Sequence, residues 1–148
     1  MLIPDGPQAM TSEWLTQALR QTGTITSATV SSFQTQAVGE EGEGMSGQMV
    51  RVKVIYDRDE LTAPQSIIAK FHSAHTPTRE AYHSLGFYES EFRFYKQIAP
   101  KVDTPTPRFY YGDFHESGLT VLLLEDLAPA RSPGLDINLP QVELAIRQ

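Results

Sequence analysis

Three features of this chain carry residues of a type and spacing that could do chemistry. The first is Gly42-x-Gly44-x-x-Gly47, where backbone lacking Cβ atoms can turn tightly or bring N–H groups close to phosphate oxygens. A dinucleotide fingerprint needs a strand before such glycines and a helix after them. Here a strand pattern follows, which excludes that use and leaves a flap between two strands or an ordinary flexible hairpin. The second feature is Lys70, inside Ile67-Ile-Ala-Lys-Phe71. A lysine in a largely apolar strand either reaches solvent from an open face or needs a partner. The third is Glu91, on the stripe Phe87, Glu91, Phe94, Ile98. A carboxylate among apolar neighbours is costly unless paired, and the alternative is a stripe edge that faces water. His72, His75, His83 and His115 are too dispersed for a metal site and read as surface residues. Asp57, Asp59 and Glu60 cluster, but their spacing does not fit a calcium loop.

The elements that must position these groups follow from periodicity. The opening ten residues, with Pro4, Gly6 and Pro7, read as a tail or loop. Thr11 or Ser12 can cap a short amphipathic helix carrying Trp14, Leu15, Ala18 and Leu19, and Gly23 stops it. Ser27 to Val38 is rich in Thr, Val, Ser and Phe and favours a strand. After the glycine-rich connection, Met49 to Tyr56 alternates, with Val50, Val52, Val54 and Tyr56 on one face and Arg51 and Lys53 on the other. Ser66 to His72 is a third strand. Ala81, Leu85, Tyr88, Phe92, Tyr95 and Ala99 then trace one face of a long helix that Pro100 closes. Phe109–Tyr111 and Leu119–Leu124 are two further strands. Pro140, Val142, Ala145 and Ile146 open a last helix-like pattern. The spacing predicts an α+β fold, with an antiparallel sheet covered on one face by a single long helix.

Composition narrows the function classes. The chain has 148 residues, 12 Lys plus Arg against 18 Asp plus Glu, and a net charge of -6. Hydrophobic residues are 40% and charged residues 20%, a globular balance for about one domain. The acidic surplus argues against a nucleic-acid partner bound through a basic surface. There is no Cys, so disulfides, thiolate metal sites and a cysteine nucleophile are absent. The longest wholly apolar run, Val121–Leu124, is far short of the ~20 residues that span a bilayer, and the N-terminus lacks the pattern of a secretory signal. The expectation is a cytoplasmic protein with no membrane partner.

A flap, then a strand lysine, then a helix glutamate is the order of parts that holds the phosphates of ATP in a kinase. The chain resembles the N-terminal lobe of the aminoglycoside-phosphotransferase and ecdysteroid-kinase-like (choline-kinase-like) small-molecule kinases. The matching stretches are Gly42-Glu-Gly-Met-Ser-Gly-Gln-Met-Val-Arg-Val52, Ile68-Ala-Lys-Phe71, Tyr88-Glu-Ser-Glu-Phe-Arg-Phe-Tyr-Lys-Gln-Ile-Ala-Pro100, Thr106-Pro-Arg108 and Leu122-Leu-Leu-Glu-Asp-Leu-Ala-Pro-Ala-Arg131. They cover roughly residues 27 to 148. The resemblance implies the N-lobe of a protein-kinase-like fold: a five-stranded antiparallel sheet, one long helix and an extra N-terminal helix. It divides the chain into a tail and helix over 1–26, the lobe over 27–127, and a linker with the start of a helix over 128–148.

The resemblance also implies roles. Lys70 would bind the α- and β-phosphates of ATP and Glu91 would pair with it. Gly42, Gly44 and Gly47 would form the flap. Glu125 through its carbonyl and Leu127 through its N–H would be the hinge that meets the adenine edge. Leu124 would be the gatekeeper, and Ile68 and Val52 would wall the base. The reaction implied is transfer of the γ-phosphate of ATP to a hydroxyl of a small-molecule acceptor, with Mg²⁺. The catalytic Asp and the metal ligands would lie on a C-terminal lobe, so the chain reads as truncated, poor at binding ATP and inactive alone. The second expectation is a complete, non-catalytic nucleotide- or ligand-binding module. A third is an α+β domain in which Lys70 and Glu91 are an ordinary buried pair. Glu40, Glu41 and Glu43 make the flap acidic, which opposes a triphosphate unless Mg²⁺ or the lysine offsets it.

Overall fold

The computed structural model describes residues 1–38, 43–44, 47–129 and 140, so Gly42 and the helix-like pattern after Leu139, Pro140 apart, lie outside the described residues. Five strands of regular length and one two-residue strand form a single antiparallel sheet. They are β1 (Val30–Ala37), β2 (Glu43–Gly44), β3 (Gly47–Tyr56), β4 (Ser66–His72), β5 (Phe109–Phe114) and β6 (Thr120–Glu125). The order is β1-β3-β4-β6-β5, with β2 paired to the start of β3. Strand β4 is therefore central; one α-helix precedes β1 and the others lie on the crossover from β4 to β5.

Alternation decides the two faces. Val50, Val52 and Val54 of β3, Ile67, Ala69 and Phe71 of β4, and Val121 and Leu123 of β6 point to one side and join a common core. Helix α1 (Ser12–Gln21) covers that side with Leu15, Ala18 and Leu19, all fully buried. Burying each of the two leucines contributes about 1.5–3 kcal/mol. Thr11 caps α1 by accepting from the Trp14 N–H at 3.1 Å. Thr16 then ties the helix to the sheet, its hydroxyl accepting from the Val30 N–H at 3.0 Å.

The first ten residues are not a loose tail. Pro4, Gly6, Pro7 and Met10 are buried, and the Trp14 indole donates to the Leu2 carbonyl at 3.0 Å. His72, expected at the surface, is fully buried, with Nε2 3.1 Å from Asp5 Oδ1 and Nδ1 3.2 Å from the backbone of Thr120. The N-terminal segment covers the end of β4, so a polar strand end becomes interior. Sequence periodicity cannot register a cover supplied by a segment almost seventy residues away in sequence.

The other face carries the crossover helices, and here the single long helix is divided. Helix α2 (Thr76–Ser84) ends at Leu85, Gly86 turns at φ +72°, and α3 (Phe87–Arg93) begins at once. A left-handed residue cannot continue a right-handed helix, and glycine adopts it without strain. A π turn (Phe94–Ile98) and a 3₁₀ turn (Ala99–Lys101) follow, with the Ala99 N–H reaching back to the Phe94 carbonyl. Pro100 has no N–H with which to hold an α-helical register there. Tyr88 anchors α3, its hydroxyl accepting from the Ser73 N–H at 3.1 Å. Ring contacts of Phe92 with Phe114 and of Tyr95 with Phe109 hold the rest of the segment against β5.

A carboxylate fastens the far end of the sheet. Glu60, in the β3–β4 connection, accepts from the backbone N–H groups of Thr26 at 2.6 Å, Ser27 at 3.1 Å and Ala28 at 2.8 Å. These bonds, led by that from Ala28, hold its pKa at about 2. Its folded pKa is depressed, so the stabilisation is present above the unfolded value near 4.5 and is lost as the pH falls toward 2.

Two outcomes follow from this packing. A Cβ on Gly47 would run into the Phe71 carbonyl oxygen on the paired strand, so Gly47→Ala is expected to lower stability in urea unfolding by more than about 2 kcal/mol. Trp14, the single tryptophan, is buried and reports unfolding by fluorescence. Acid unfolding followed this way should begin below pH 4.5, and Glu60→Gln should flatten the loss of stability between pH 4.5 and 2. An unchanged acid profile in the variant would remove Glu60 from this account.

Candidate functional site

The alternation that sends Ile67, Ala69 and Phe71 into the core turns Ser66, Ile68 and Lys70 to the helix-bearing face. Lys70 is half-buried there. Its ammonium lies 2.7 Å from Glu91 Oε1 and 2.8 Å from Oε2, so both carboxylate oxygens accept from it. Neither group is sealed from water: the two side chains are 26% and 32% exposed. The pair therefore stands at the edge of open space, with a cation held in a fixed position and reachable from solvent. A charge-assisted contact of this length is strong for a hydrogen bond.

The strand register orders the neighbouring side chains into rows. Met49, Lys70 and Leu122 are paired across β3, β4 and β6, and Arg51, Ile68 and Leu124 form the next row. Two residues along a strand separate the rows by about 6.7 Å. A cleft of about 260 Å³ opens over the second row. Ile68, Leu124 and Met49 line its sheet side, and Glu125, Asp126, Leu127 and Ala128 line its rim. A larger hollow of about 550 Å³ lies at the β3–β4 connection, among Lys53, Arg58 and Glu60, and contains neither Lys70 nor Glu91.

Most of the residues singled out in the sequence meet on this one face. Ile68 and Leu124 are adjacent in one row, and Lys70 and Glu91 are in contact. Glu125 ends β6, its N–H donating to the Arg108 carbonyl at 2.8 Å while its carboxylate accepts from the Arg108 N–H at 3.0 Å. Leu127 is half-exposed at the cleft rim. Gly44 pairs with Gly47 across the β2–β3 hairpin, and Gly47 pairs in turn with His72 on β4, two residues beyond Lys70. The requirement for glycine at Gly47 is accounted for by the close approach of Phe71.

Val52 does not join them. It is fully buried on the opposite face, within the core under α1. A residue beside Arg51 in a strand must point the other way, so the β3 side chains over the cleft are Met49 and Arg51.

Arg51 and Asp126 are the residues that motif reasoning missed. The Arg51 guanidinium donates to Asp126 through Nε at 2.6 Å and Nη2 at 3.1 Å, a two-point contact between β3 and the chain just past β6. Asp126 also accepts from the Ser66 hydroxyl and from the Ala128 N–H at 3.2 Å. The Arg51 hydrogen bond is the first cause that holds the Asp126 pKa at about 2, although the carboxylate is almost fully buried. Arg51 sits on the polar side of an alternating strand, where its type and position name no partner. A contact seventy-five residues away in sequence leaves no local signal.

No group of three or more His, Asp or Glu residues among the described residues could hold a metal ion, so these residues do not by themselves fit a Mg²⁺ site. No helix among them is long and apolar enough to cross a membrane.

Comparison with curated proteins and with solved structures finds no match. The family model described as "Ecdysteroid kinase-like family" matches residues 41–131, more than half of the chain. The span begins at the flap, contains the Lys70–Glu91 pair and runs through the cleft rim. With its antiparallel sheet and crossover helices, the chain has a kinase-like N-lobe fold and belongs to the ecdysteroid kinase-like family.

Proposed function

We propose that this chain is the ATP-holding lobe of a phosphotransferase that moves the γ-phosphate of ATP to a hydroxyl of a small molecule. The observation that carries the reading is the bidentate Lys70–Glu91 ion pair one row from a cleft with mainly apolar walls, rimmed by Glu125 to Ala128. In the reading, the base enters the cleft between Ile68, Leu124 and the rim of Glu125 to Leu127. The triphosphate runs along β4 toward Lys70, beneath the β2–β3 hairpin.

Each residue then has a task that follows from its chemistry. Lys70 offsets negative charge on the α- and β-phosphates. Glu91 keeps the flexible lysine side chain from collapsing elsewhere, so that its entropy is lost before the nucleotide arrives. Glu125 and Leu127 offer a carbonyl and an N–H to the edge of the base. Phosphoryl transfer depends on positioning and charge stabilisation more than on covalent chemistry by the protein. No described residue is assigned the Mg²⁺ ion, and none is assigned the removal of the acceptor's proton.

The test is binding of the fluorescent nucleotide mant-ATP to the full 148-residue chain, displaced by unlabelled ATP. Lys70→Met is expected to weaken ATP by tenfold or more, since a hydrogen bond to a charged group contributes about 1.5–3 kcal/mol. Glu91→Gln should weaken it by less, because the lysine stays but is no longer fixed. Equal affinity of the wild type and Lys70→Met would overturn the reading.

A further inference from the structure

Resting on the nucleotide reading of this cleft, we infer that Arg51 is a base-binding residue, its guanidinium held flat by Asp126 so that the ring of a purine stacks on it. Four observations lead there. Arg51 lines the cleft in the same row as Ile68 and Leu124, the position at which a flat occupant would meet β3. Its guanidinium is engaged through Nε and Nη2 by one carboxylate. Those hydrogen bonds lie in the guanidinium plane, so they use its edge and leave its faces for contact. Apart from Glu125 and Asp126, the other side chains that line the cleft, Met49, Ile68, Leu124 and Leu127 among them, are apolar.

Asp126 is itself anchored. Its carboxylate is fixed by Ser66 on β4 and by the Ala128 N–H as well as by Arg51, and it is only 7% exposed. A surface arginine would sample many rotamers and lose that freedom on stacking. An arginine clamped at two points has already lost it. A cleft with mainly apolar walls and one planar cation suits an aromatic heterocycle better than a sugar or an aliphatic chain, because only the heterocycle offers a π face to the cation. Arg51 is thus a contact to the base, and Asp126 a positioning residue that acts through it.

The experiment separates base from phosphate. Displacement of mant-ATP from the full chain is measured with ATP and with tripolyphosphate, which has no base. Arg51→Lys keeps the charge and a partner for Asp126 but removes the plane. It is expected to weaken ATP about five- to tenfold and to leave tripolyphosphate unchanged. Lys70→Met should weaken both competitors. Asp126→Asn, which leaves the guanidinium but loosens its anchor, should repeat the Arg51→Lys pattern more mildly and serves if Arg51→Lys does not fold. Arg51→Lys binding ATP as the wild type does would overturn the inference. So would parallel loss of ATP and tripolyphosphate, which marks a structural ion pair only. In either case the Lys70→Met result still stands for the nucleotide site. Weak binding is expected of the lobe alone, so the titrations run to millimolar competitor, and a wild-type chain that binds no nucleotide over that range would remove both readings together.

Discussion

A lysine on the central strand of a sheet is under a severe constraint. Strand β4 is flanked on both sides, and its core-facing residues Ile67, Ala69 and Phe71 are fully buried. Pairing to β3 and β6 fixes the register, so Lys70 has to emerge on the opposite face, between Met49 and Leu122. There its charge is half-removed from water, and Glu91 compensates it. Glu91 can do so only if α3 is placed correctly, and α3 is placed by the Tyr88–Ser73 hydrogen bond and by rings stacked against β5. The break at Gly86 lets α3 take its own direction instead of extending α2. Core packing on one side of the sheet and the ion pair on the other are thus consequences of one register.

The same face bears a second ion pair with a different character. Lys70–Glu91 joins a flexible point charge to a carboxylate, and both remain partly open to water. Arg51–Asp126 joins a rigid fork to a carboxylate that is nearly sealed and has two further donors. The first arrangement suits a charge that must also serve an incoming anion. The second suits a fixed wall, since a buried carboxylate with three donors has little reason to let go of any of them. The two pairs occupy adjacent regions of one surface, so a ligand with a flat end and an anionic end would meet both. The N-terminal segment over His72 and the Glu60 clamp at the β3–β4 connection stabilise the frame that carries it.

Periodicity and motif order alone set the N-terminal helix, the five longer strands and their order along the chain, and the family resemblance. Periodicity of two in Met49–Tyr56 sets which valines face the core, and it sets Arg51 and Lys53 against them. The pairing of Lys70 with Glu91 was legible because the motif order and the apolar settings of both residues agreed. Only the tertiary structure decided what those faces meet. Val52 was placed at the base although alternation sends it to the core, a matter of which face α1 covers and which the crossover helices cover. The helix stripe was continuous in sequence, but the left-handed Gly86 and the N–H missing from Pro100 divide it. His72 became interior because residues 1–10 fold over it, and Arg51 acquired a fixed partner in Asp126. Local patterns record how a residue is turned relative to its neighbours in sequence. Partners that are distant in the chain are set by strand pairing and packing, which no local spacing encodes.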